Sequence, residues 1–336
     1  MSLREQGRDL RFALGVVRRR PFQVLLQVTN RCNMKCDFCD FWPNGVAPGE
    51  ELTLDDFARL EAQLSAMGTF LVSIEGGEPF VRPDLVEIVR IFARRHIALL
   101  YTNGWYVDRE NAAALWEAGL AQVGVSIDYA DPARHDRRRA LSGASARAWQ
   151  AVGLLRDSAP HRGKAVHVMT VLMDDNAAEL DALLTMSGAA GVGHCATLVS
   201  TRGFRRAPGA SMPSPVDARR FAGLWAKHPH FRMFGDYMQA IAPFVGGGEM
   251  PDCRAGVQSF NVDHVGNVSP CIEKIDQSFG NMRSEALSAI HRRMIDAEPA
   301  RGCQQCWTAC RGFAQALGEG GSFGAWRDLA WRMRSV

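Results

Sequence analysis

The amino-acid sequence predicts an α/β fold, a partial (β/α)6 TIM-like barrel followed by a small C-terminal hairpin-helix region. From Phe22 to about residue 200, short apolar runs alternate with longer segments of helical periodicity, and after residue 200 this alternation stops. Strict alternation of strand and helix is typical of right-handed βαβ units around a parallel sheet. We therefore predict a basic helix in residues 1–21, the barrel in residues 22–235 and the C-terminal region in residues 236–336.

The barrel strands are predicted, in order, at "FQVLLQV", "FLVSIEG", "IALLYTNG", "QVGVSID", "VHVMTVLM" and "HCATLVS". Helical patterns such as "TLDDFARLEAQLSAM" and "DRENAAALWEAG" separate them, the first opening with a capping signal at Thr53. Beyond the Pro- and Gly-bearing stretch "RAPGASMPSPVDARR", the segment "QSFNVDHVGNVSPC" predicts a hairpin about a Gly-Asn turn. The helical pattern "SEALSAIHRRMIDAE" follows it.

Composition limits the functions to consider. The 336 residues are 47% apolar and 22% charged, and the net charge is +3, so the chain should fold and shows no electrostatic footprint for nucleic acid. The N-terminal "RFALGVVRRRP" predicts a basic helix that either packs under the barrel with solvated arginines or touches a membrane surface or a partner. No apolar run is long enough for a signal peptide or a membrane span, so we expect a cytoplasmic protein without an integral membrane segment.

Eight of the nine cysteines fall into two groups, which indicates metal binding or catalysis rather than disulfides. Cys32, Cys36 and Cys39 follow the first strand at a spacing too compact for the usual zinc pattern. A cubane iron-sulfur cluster fits better, and three thiolates leave one iron open for another ligand. "EGGEP", "TNG" and "SID" follow the next three strands, so we expect all four loops at one barrel mouth.

The first group resembles the signature of the radical S-adenosylmethionine superfamily, Cys-x3-Cys-x-aromatic-Cys, in which the aromatic residue here is Phe38. The resemblance implies that S-adenosylmethionine chelates the open iron of a site-differentiated 4Fe-4S cluster. It also implies that Gly76 and Gly77 meet the methionine amino group and that Glu78 accepts a hydrogen bond nearby. By the same resemblance Ser126 contacts the ribose or carboxylate, Arg139 forks onto the carboxylate, and Asn176 lies near the nucleoside.

The second group comprises five cysteines: Cys253, Cys271, Cys303, Cys306 and Cys310. The pattern Cys253-x12-Gly266-x4-Cys271 resembles the SPASM/Twitch extension of the same superfamily, whose full form carries about seven cysteines. Five cysteines therefore imply the shorter Twitch form with one auxiliary 4Fe-4S cluster. Which of Cys303, Cys306 and Cys310 is not a ligand stays open, and a four-cysteine zinc site is an alternative.

The resemblance implies that a 5'-deoxyadenosyl radical abstracts a substrate hydrogen and that the auxiliary cluster accepts an electron. Our leading hypothesis is a small-molecule substrate, for example a carbinol carbon of a sugar or cyclitol that is oxidised or epimerised, as in inosamine dehydrogenases. A reducing partner such as flavodoxin or ferredoxin is implied too. Since only about twenty residues precede the first strand, we expect no leader-binding domain. The alternatives are a peptide or protein maturase of the SPASM class and, more remotely, a non-catalytic iron-sulfur electron carrier.

Further residues are candidates for substrate chemistry. Cys195 lies in a predicted strand and either returns a hydrogen atom to the substrate or fills the core, and Cys310 has the same two interpretations. Glu273, Asp236 and Tyr237 lie near the predicted junction as candidate acid-base groups, and Arg202 as a candidate anion site.

Overall fold

The computed structural model describes residues 3–160, 163–204 and 206–331. The strands are β1 Gln23–Thr29, β2 Leu71–Gly76, β3 Ile97–Thr102, β4 Gln122–Ser126, β5 Ala165–Leu172, β6 Gly193–Leu198, β7 Ser259–Val262, β8 Asn267–Ser269 and β9 Gly280–Asn281. The helices are α1 Leu3–Val17, α2 Leu54–Met67, α3 Leu85–Ala93, α4 Arg109–Glu117, α5 Pro132–Arg138, α6 Ala144–Ser158, α7 Leu180–Ala189, α8 Pro215–Lys227, α9 Gly235–Val245, α10 Leu287–Ala297, α11 Ala309–Leu317 and α12 Phe323–Trp331.

The six predicted barrel strands are confirmed. β1 to β6 pair in sequence order and in parallel, each pair joined by at least one helix. β6 does not pair with β1, so the barrel is partial. Parallel pairing with helical crossovers follows from the alternation in the sequence, and it brings the loops after the strands to one end.

The helices begin where the sequence indicates. Thr53 caps α2 by accepting a hydrogen bond from the Asp56 backbone N–H, and the Asp56 carboxylate accepts one from the Thr53 N–H. Asp108 caps α4 in the same way. The apolar faces of these helices pack on the outer face of the sheet, where Phe57, Phe92 and Leu115 are fully buried.

The C-terminal region extends the barrel sheet instead of forming a sheet of its own. β7 pairs in parallel with β1, on the side opposite β2, and β8 and β9 continue the sheet in antiparallel fashion. The predicted hairpin is therefore present as β7–β8. Its first strand, β7, pairs with β1, and the first cysteine group lies in the loop after β1. The predicted boundary at residue 236 lies at the start of α9.

α1 lies under the barrel, at the amino ends of the strands. Phe12 and Ala13 face the interior together with Gln23, Leu71 and Ile97, the first residues of β1, β2 and β3. Within the part of the chain that the structure describes, no helix combines the length and apolar character needed to cross a membrane.

Candidate active site

One cavity of about 1100 Å³ runs through the barrel, from the loops at its mouth to α1 at its floor. Its lining includes Cys32, Cys36 and Cys39, all half-buried in the loop after β1. Burial raises the pKa of Cys32 to about 11 and of Cys36 to about 12, while the charge of Arg139 lowers both. Thiols in such surroundings stay protonated unless a metal binds the sulfur, which releases the proton to solvent.

The arrangement of these thiols distinguishes a site for a single metal ion from a site for an iron-sulfur cluster. Among the described residues, no three His, Cys, Asp or Glu side chains converge closely enough to hold a single ion. A cubane cluster needs no such convergence, because each thiolate binds a different iron. Three half-buried thiols around one cavity therefore fit a cluster with one iron left open better than they fit a mononuclear zinc ion.

The "EGGEP" loop lies directly against the start of the cysteine loop. Gly77 N–H donates to the Thr29 carbonyl at 2.7 Å, and Glu78 N–H donates to the Arg31 carbonyl at 2.9 Å. A Cβ on Gly76 would overlap the Thr29 carbonyl oxygen, and one on Gly77 would overlap the Arg31 carbonyl oxygen. Both glycines line the cavity, and their small size is required by this close approach of two backbone segments.

Glu78 joins the second and third loops rather than lining the cavity. Its carboxylate accepts hydrogen bonds from the Asn103 N–H at 2.7 Å, the Thr102 hydroxyl at 2.8 Å and the Phe80 N–H at 3.1 Å. Burial raises its pKa to about 6, although the Asn103 N–H and the other donors lower it. Asn103 in turn donates to the Asn33 side chain at 2.8 Å, which links the third loop to the cysteine loop.

Arg139 lines the cavity, but its guanidinium is already paired with a carboxylate. Its Nε and Nη2 both donate to Asp128 Oδ2, at 3.0 and 2.6 Å, and its guanidinium lies 5.9 Å from the centre of the Phe38 ring. Phe38 also lines the cavity, and Ser126 faces it from the end of β4. The pair with Asp128 fixes the arginine beside the cysteines, and sequence reasoning missed that partner.

Asn176, predicted near the nucleoside, lies outside the cavity lining. It is 1% exposed, and its side-chain amide donates to the Asp128 and Val171 carbonyls while its oxygen accepts from the Met173 N–H. Every one of these bonds is to backbone, so in this structure the residue supports the loop after β5.

The cysteine loop is also anchored by a buried carboxylate that sequence reasoning missed. Arg31, which precedes Cys32, donates through Nε and Nη2 to the two oxygens of Glu51, at 3.0 and 2.9 Å. Glu51 is 3% exposed, and Arg82 approaches it at 3.4 Å from the loop after β2. No local pattern marks Glu51, because Arg31 lies 20 residues away at the start of the same loop and Arg82 lies in the loop after β2.

The middle of the cavity brings together groups from distant parts of the chain. Cys195 lines it from β6, where burial raises the thiol pKa to about 12 and its Sγ lies 3.4 Å from the Arg232 carbonyl. Burial raises the pKa of Tyr101 far above its usual range, and negative charge at Cys195, Glu75 and Cys310 acts in the same direction. These four side chains therefore share the space below the cysteine loop. Of the two glutamates in "EGGEP", Glu75 faces the cavity and was not predicted.

The second cysteine group lies around the β7–β8 hairpin and the start of α11. Cys253 and Cys271 bracket the β7–β8 hairpin; burial raises the pKa of Cys253, Cys271 and Cys306, and nearby thiols act in the same direction on the first two. Cys303 is in electrostatic reach of Cys253. The buried Arg311 lowers the pKa of Cys253 and Cys306, and it donates to the Cys306 and Pro251 carbonyls.

Cys310 differs from the other four because it lines the barrel cavity. Its Sγ lies 3.0 Å from the Thr308 hydroxyl, which lines the same cavity. It therefore faces the barrel interior from the start of α11, while remaining in electrostatic reach of Cys271.

The predicted acid-base candidates are placed unfavourably for that role. Glu273 is 6% exposed, pairs with Arg206 and does not line the cavity. Asp236 is exposed and accepts from the Ser322 hydroxyl, while the Tyr237 hydroxyl accepts from the Leu198 N–H at 2.8 Å inside the cavity wall. Arg202 is exposed, so Arg206, rather than Arg202, is the arginine that lines the cavity from this loop.

Comparison with known proteins gives both partial and nearly complete matches. A model of the Radical SAM superfamily matches residues 26–186. A PqqA peptide cyclase from Rhodopseudomonas palustris is 35% identical, but the match covers 38% of this chain and only about a third, 34%, of that protein. A PqqA peptide cyclase from Gluconobacter oxydans is 28% identical over 88% of this chain and 87% of its own length. The mycofactocin maturase MftC of Mycobacterium tuberculosis is 27% identical over 88% and 78%.

Two solved structures share the fold. SuiB of Streptococcus suis bound to S-adenosylmethionine superposes with a TM-score of 0.64 at 15% identity, covering 85% of this chain and 68% of SuiB. The enzyme anSMEcpe, solved with bound AdoMet and a peptide, gives a TM-score of 0.63 at 15% identity, covering 87% of this chain and 89% of its own. The partial barrel and its C-terminal extension are thus an architecture already known.

Proposed function

Because the chain belongs to the radical S-adenosylmethionine superfamily, with its matching domain at residues 26–186, we propose that it modifies a side chain of a peptide or protein. Its cofactors are S-adenosylmethionine, a site-differentiated 4Fe-4S cluster and a further cluster of the SPASM type. When bound, they supply abstraction of a hydrogen atom from the substrate, and the protein supplies binding, orientation and exclusion of water.

The chain's own residues divide this work. Cys32, Cys36 and Cys39 hold the first cluster, and the glycine-rich loop with Ser126 and Arg139 borders the space left for S-adenosylmethionine. Arg139 is buried and paired, so its orientation is set before the cofactor arrives. The cavity volume of about 1100 Å³ slightly exceeds the roughly 300–1,000 Å³ of a pocket for one small ligand. It therefore has room for a substrate side chain beside the cofactor.

One observation carries the assignment to a peptide substrate. Two relatives that match most of this chain and most of their own length are named a PqqA peptide cyclase and a mycofactocin maturase, and the structurally similar anSMEcpe was solved with a bound peptide. These names favour a peptide substrate over the hypothesis that the sequence favoured first, oxidation or epimerisation of a sugar or cyclitol. An electron carrier would not need a cavity of this size beside its cluster.

For the second group we propose that Cys253, Cys271, Cys303 and Cys306 bind the auxiliary cluster. Cys310 is then not a ligand of this cluster, because it alone of the five cysteines lines the barrel interior. From there its thiol, like that of Cys195, can reach a substrate held below the first cluster. A reducing protein such as flavodoxin or ferredoxin would supply the electron.

The test uses the full chain, reconstituted anaerobically with iron and sulfide and supplied with S-adenosylmethionine and dithionite. The candidate substrates are synthetic peptides whose sequences are encoded by short reading frames next to the gene of this protein. A panel of cyclitols and amino sugars is assayed in parallel. We expect a mass change in one peptide, 5'-deoxyadenosine in equal amount, and transfer of deuterium from the labelled peptide position into 5'-deoxyadenosine. Turnover of a cyclitol or amino sugar with every peptide unchanged would reject the peptide assignment while leaving the cofactor chemistry intact.

A further inference from the structure

Helix α1 is apolar on two opposite sides. Its inner side buries Phe12 and Val16 beneath the barrel. Its outer side exposes Leu3, Leu10, Leu14 and Val17, which are 87%, 62%, 43% and 58% exposed. At 3.6 residues per turn these four side chains form one stripe, about 20 Å long, on the side away from Phe12. A continuous apolar stripe of this kind on a surface helix is typical of a docking surface.

The orientation of the helix is fixed, so this stripe cannot turn inward. The Phe12 ring packs edge-on against Phe22 with ring centres 6.2 Å apart. The Lys164 ammonium pairs with Glu5 at 3.0 Å, which ties the helix to the segment before β5. The pair also neutralises one of the two acidic residues of α1, and Arg8 neutralises the other, Asp9.

A row of arginines runs beside the stripe. Each seventh residue repeats the same step, an apolar side chain followed by an arginine, at Leu3-Arg4, Leu10-Arg11 and Val17-Arg18. All three arginines are exposed, and Arg4 donates to the carbonyl of Arg94, another exposed arginine. The surface therefore combines an apolar ridge with a positive edge made only of arginine, the side chain that binds phosphate in a bidentate fashion.

The position of α1 in the fold excludes two partners for its outer face. The helix closes the floor of the barrel cavity, and the cysteine loop lies at the opposite end. A protein that delivers an electron to the first cluster would dock near that cluster, and not here. A second copy of this chain would bring two rows of arginine together, which like-charge repulsion disfavours.

We propose that the outer face of α1 docks the protein onto an anionic lipid membrane. The leucines enter the interface between headgroups and acyl chains, and Arg4, Arg11 and Arg18 contact lipid phosphates. In this orientation the barrel mouth points away from the membrane and stays open to substrate from the aqueous side.

The test is co-sedimentation of the iron-loaded full chain with vesicles of phosphatidylcholine alone or of phosphatidylcholine with phosphatidylglycerol. We expect binding to the anionic vesicles and little to the neutral ones, weakening as salt is added. The double variant Leu10→Gln/Leu14→Gln should weaken binding by at least about tenfold, from lost apolar burial. Arg11→Gln and Arg18→Gln should each weaken it by about fivefold.

Matched controls come from exposed residues of other helices. Val216→Gln in α8 and Arg109→Gln in α4 should leave vesicle binding unchanged, and every variant should keep the iron content and unfolding temperature of the parent. No binding to either vesicle, or binding that the leucine variants do not alter, overturns the proposal. In that case an acidic protein would be the better candidate for this face.

Discussion

Replacement of Gly77 by alanine should empty the first cluster site and spare the second. A Cβ on Gly77 would lie 2.6 Å from the Asn30 carbonyl oxygen and 2.8 Å from the Arg31 carbonyl carbon, and closer still to the Arg31 oxygen. All three atoms are backbone, so no side chain can rotate out of the way. Ordinary contact begins near 3.4 Å, so the Asn30 carbonyl alone must move by about 0.8 Å.

That movement, together with the larger one required of the Arg31 carbonyl, falls on the two residues directly before Cys32. Overpacking against rigid surroundings costs roughly 1–3 kcal/mol, and here part of the cost is avoided if the cysteine loop leaves its position. The hydrogen bonds from Gly77 to Thr29 and from Glu78 to Arg31 would be lost with it. We therefore expect a folded protein whose first three thiols no longer line one cavity.

The assay is iron content after anaerobic reconstitution, together with the electron paramagnetic resonance spectrum of the reduced protein. The parent should hold about eight iron atoms and Gly77→Ala about four, with 5'-deoxyadenosine formation lost. Gly153→Ala is the matched control: this helical glycine has no atom within 4 Å of an added Cβ, so stability should rise by roughly 0.5–1 kcal/mol. A Gly77→Ala protein with full iron and activity would refute the reasoning.

Three further predictions follow from the site. Cys303→Ala should lower the iron content to about four atoms per chain, whereas Cys310→Ala should keep about eight, as an iron assay of both would show. Cys195→Ala should stop product formation while 5'-deoxyadenosine is still released; unchanged product would exclude a hydrogen-donor role. Burial raises the pKa of Glu78 from 4.5 to about 6, so its contribution to stability is present below pH 4.5 and is lost as pH rises through 6. In urea titrations, the free energy of unfolding of the parent should fall by up to about 2 kcal/mol relative to that of Glu78→Gln as the pH rises from 4.5 to 6. A difference between the two proteins that does not change with pH would contradict the assignment.

The barrel could be predicted because its signals are local. Each strand and helix of residues 22–200 carries its own periodicity, and the capping residues Thr53 and Asp108 mark helix starts within a few positions. The cysteine spacing is local as well, so the sequence alone groups Cys32, Cys36 and Cys39 as candidate ligands of one cluster. The carboxyl ends of parallel strands then had to meet, which placed their loops at one mouth.

The supporting carboxylates could not be predicted, because their arginine partners lie 20 and 11 residues away, farther than a helical or strand pattern reaches. No residue next to Glu51 or Asp128 shows that the first pairs with Arg31 and the second with Arg139. Glu75 could have been found: it follows Ser73 by two residues on β2, so both point to the same side of the strand, into the barrel. The pairing of β7 with β1 joins residues more than 230 positions apart, and neither strand carries a mark of it.

The central place of β1 limits how this protein can be divided. Its backbone is hydrogen-bonded to β2 on one side and to β7 on the other, so a chain cut before β7 would end with β1 as a bare sheet edge. The cysteine loop directly follows β1. In such a shortened chain, the conformation of this loop would depend on a strand whose edge is open to solvent and to other chains. The C-terminal region is therefore no detachable module. Exchanging it for that of a relative would succeed only if the incoming strand matched the register from Gln23 to Leu26.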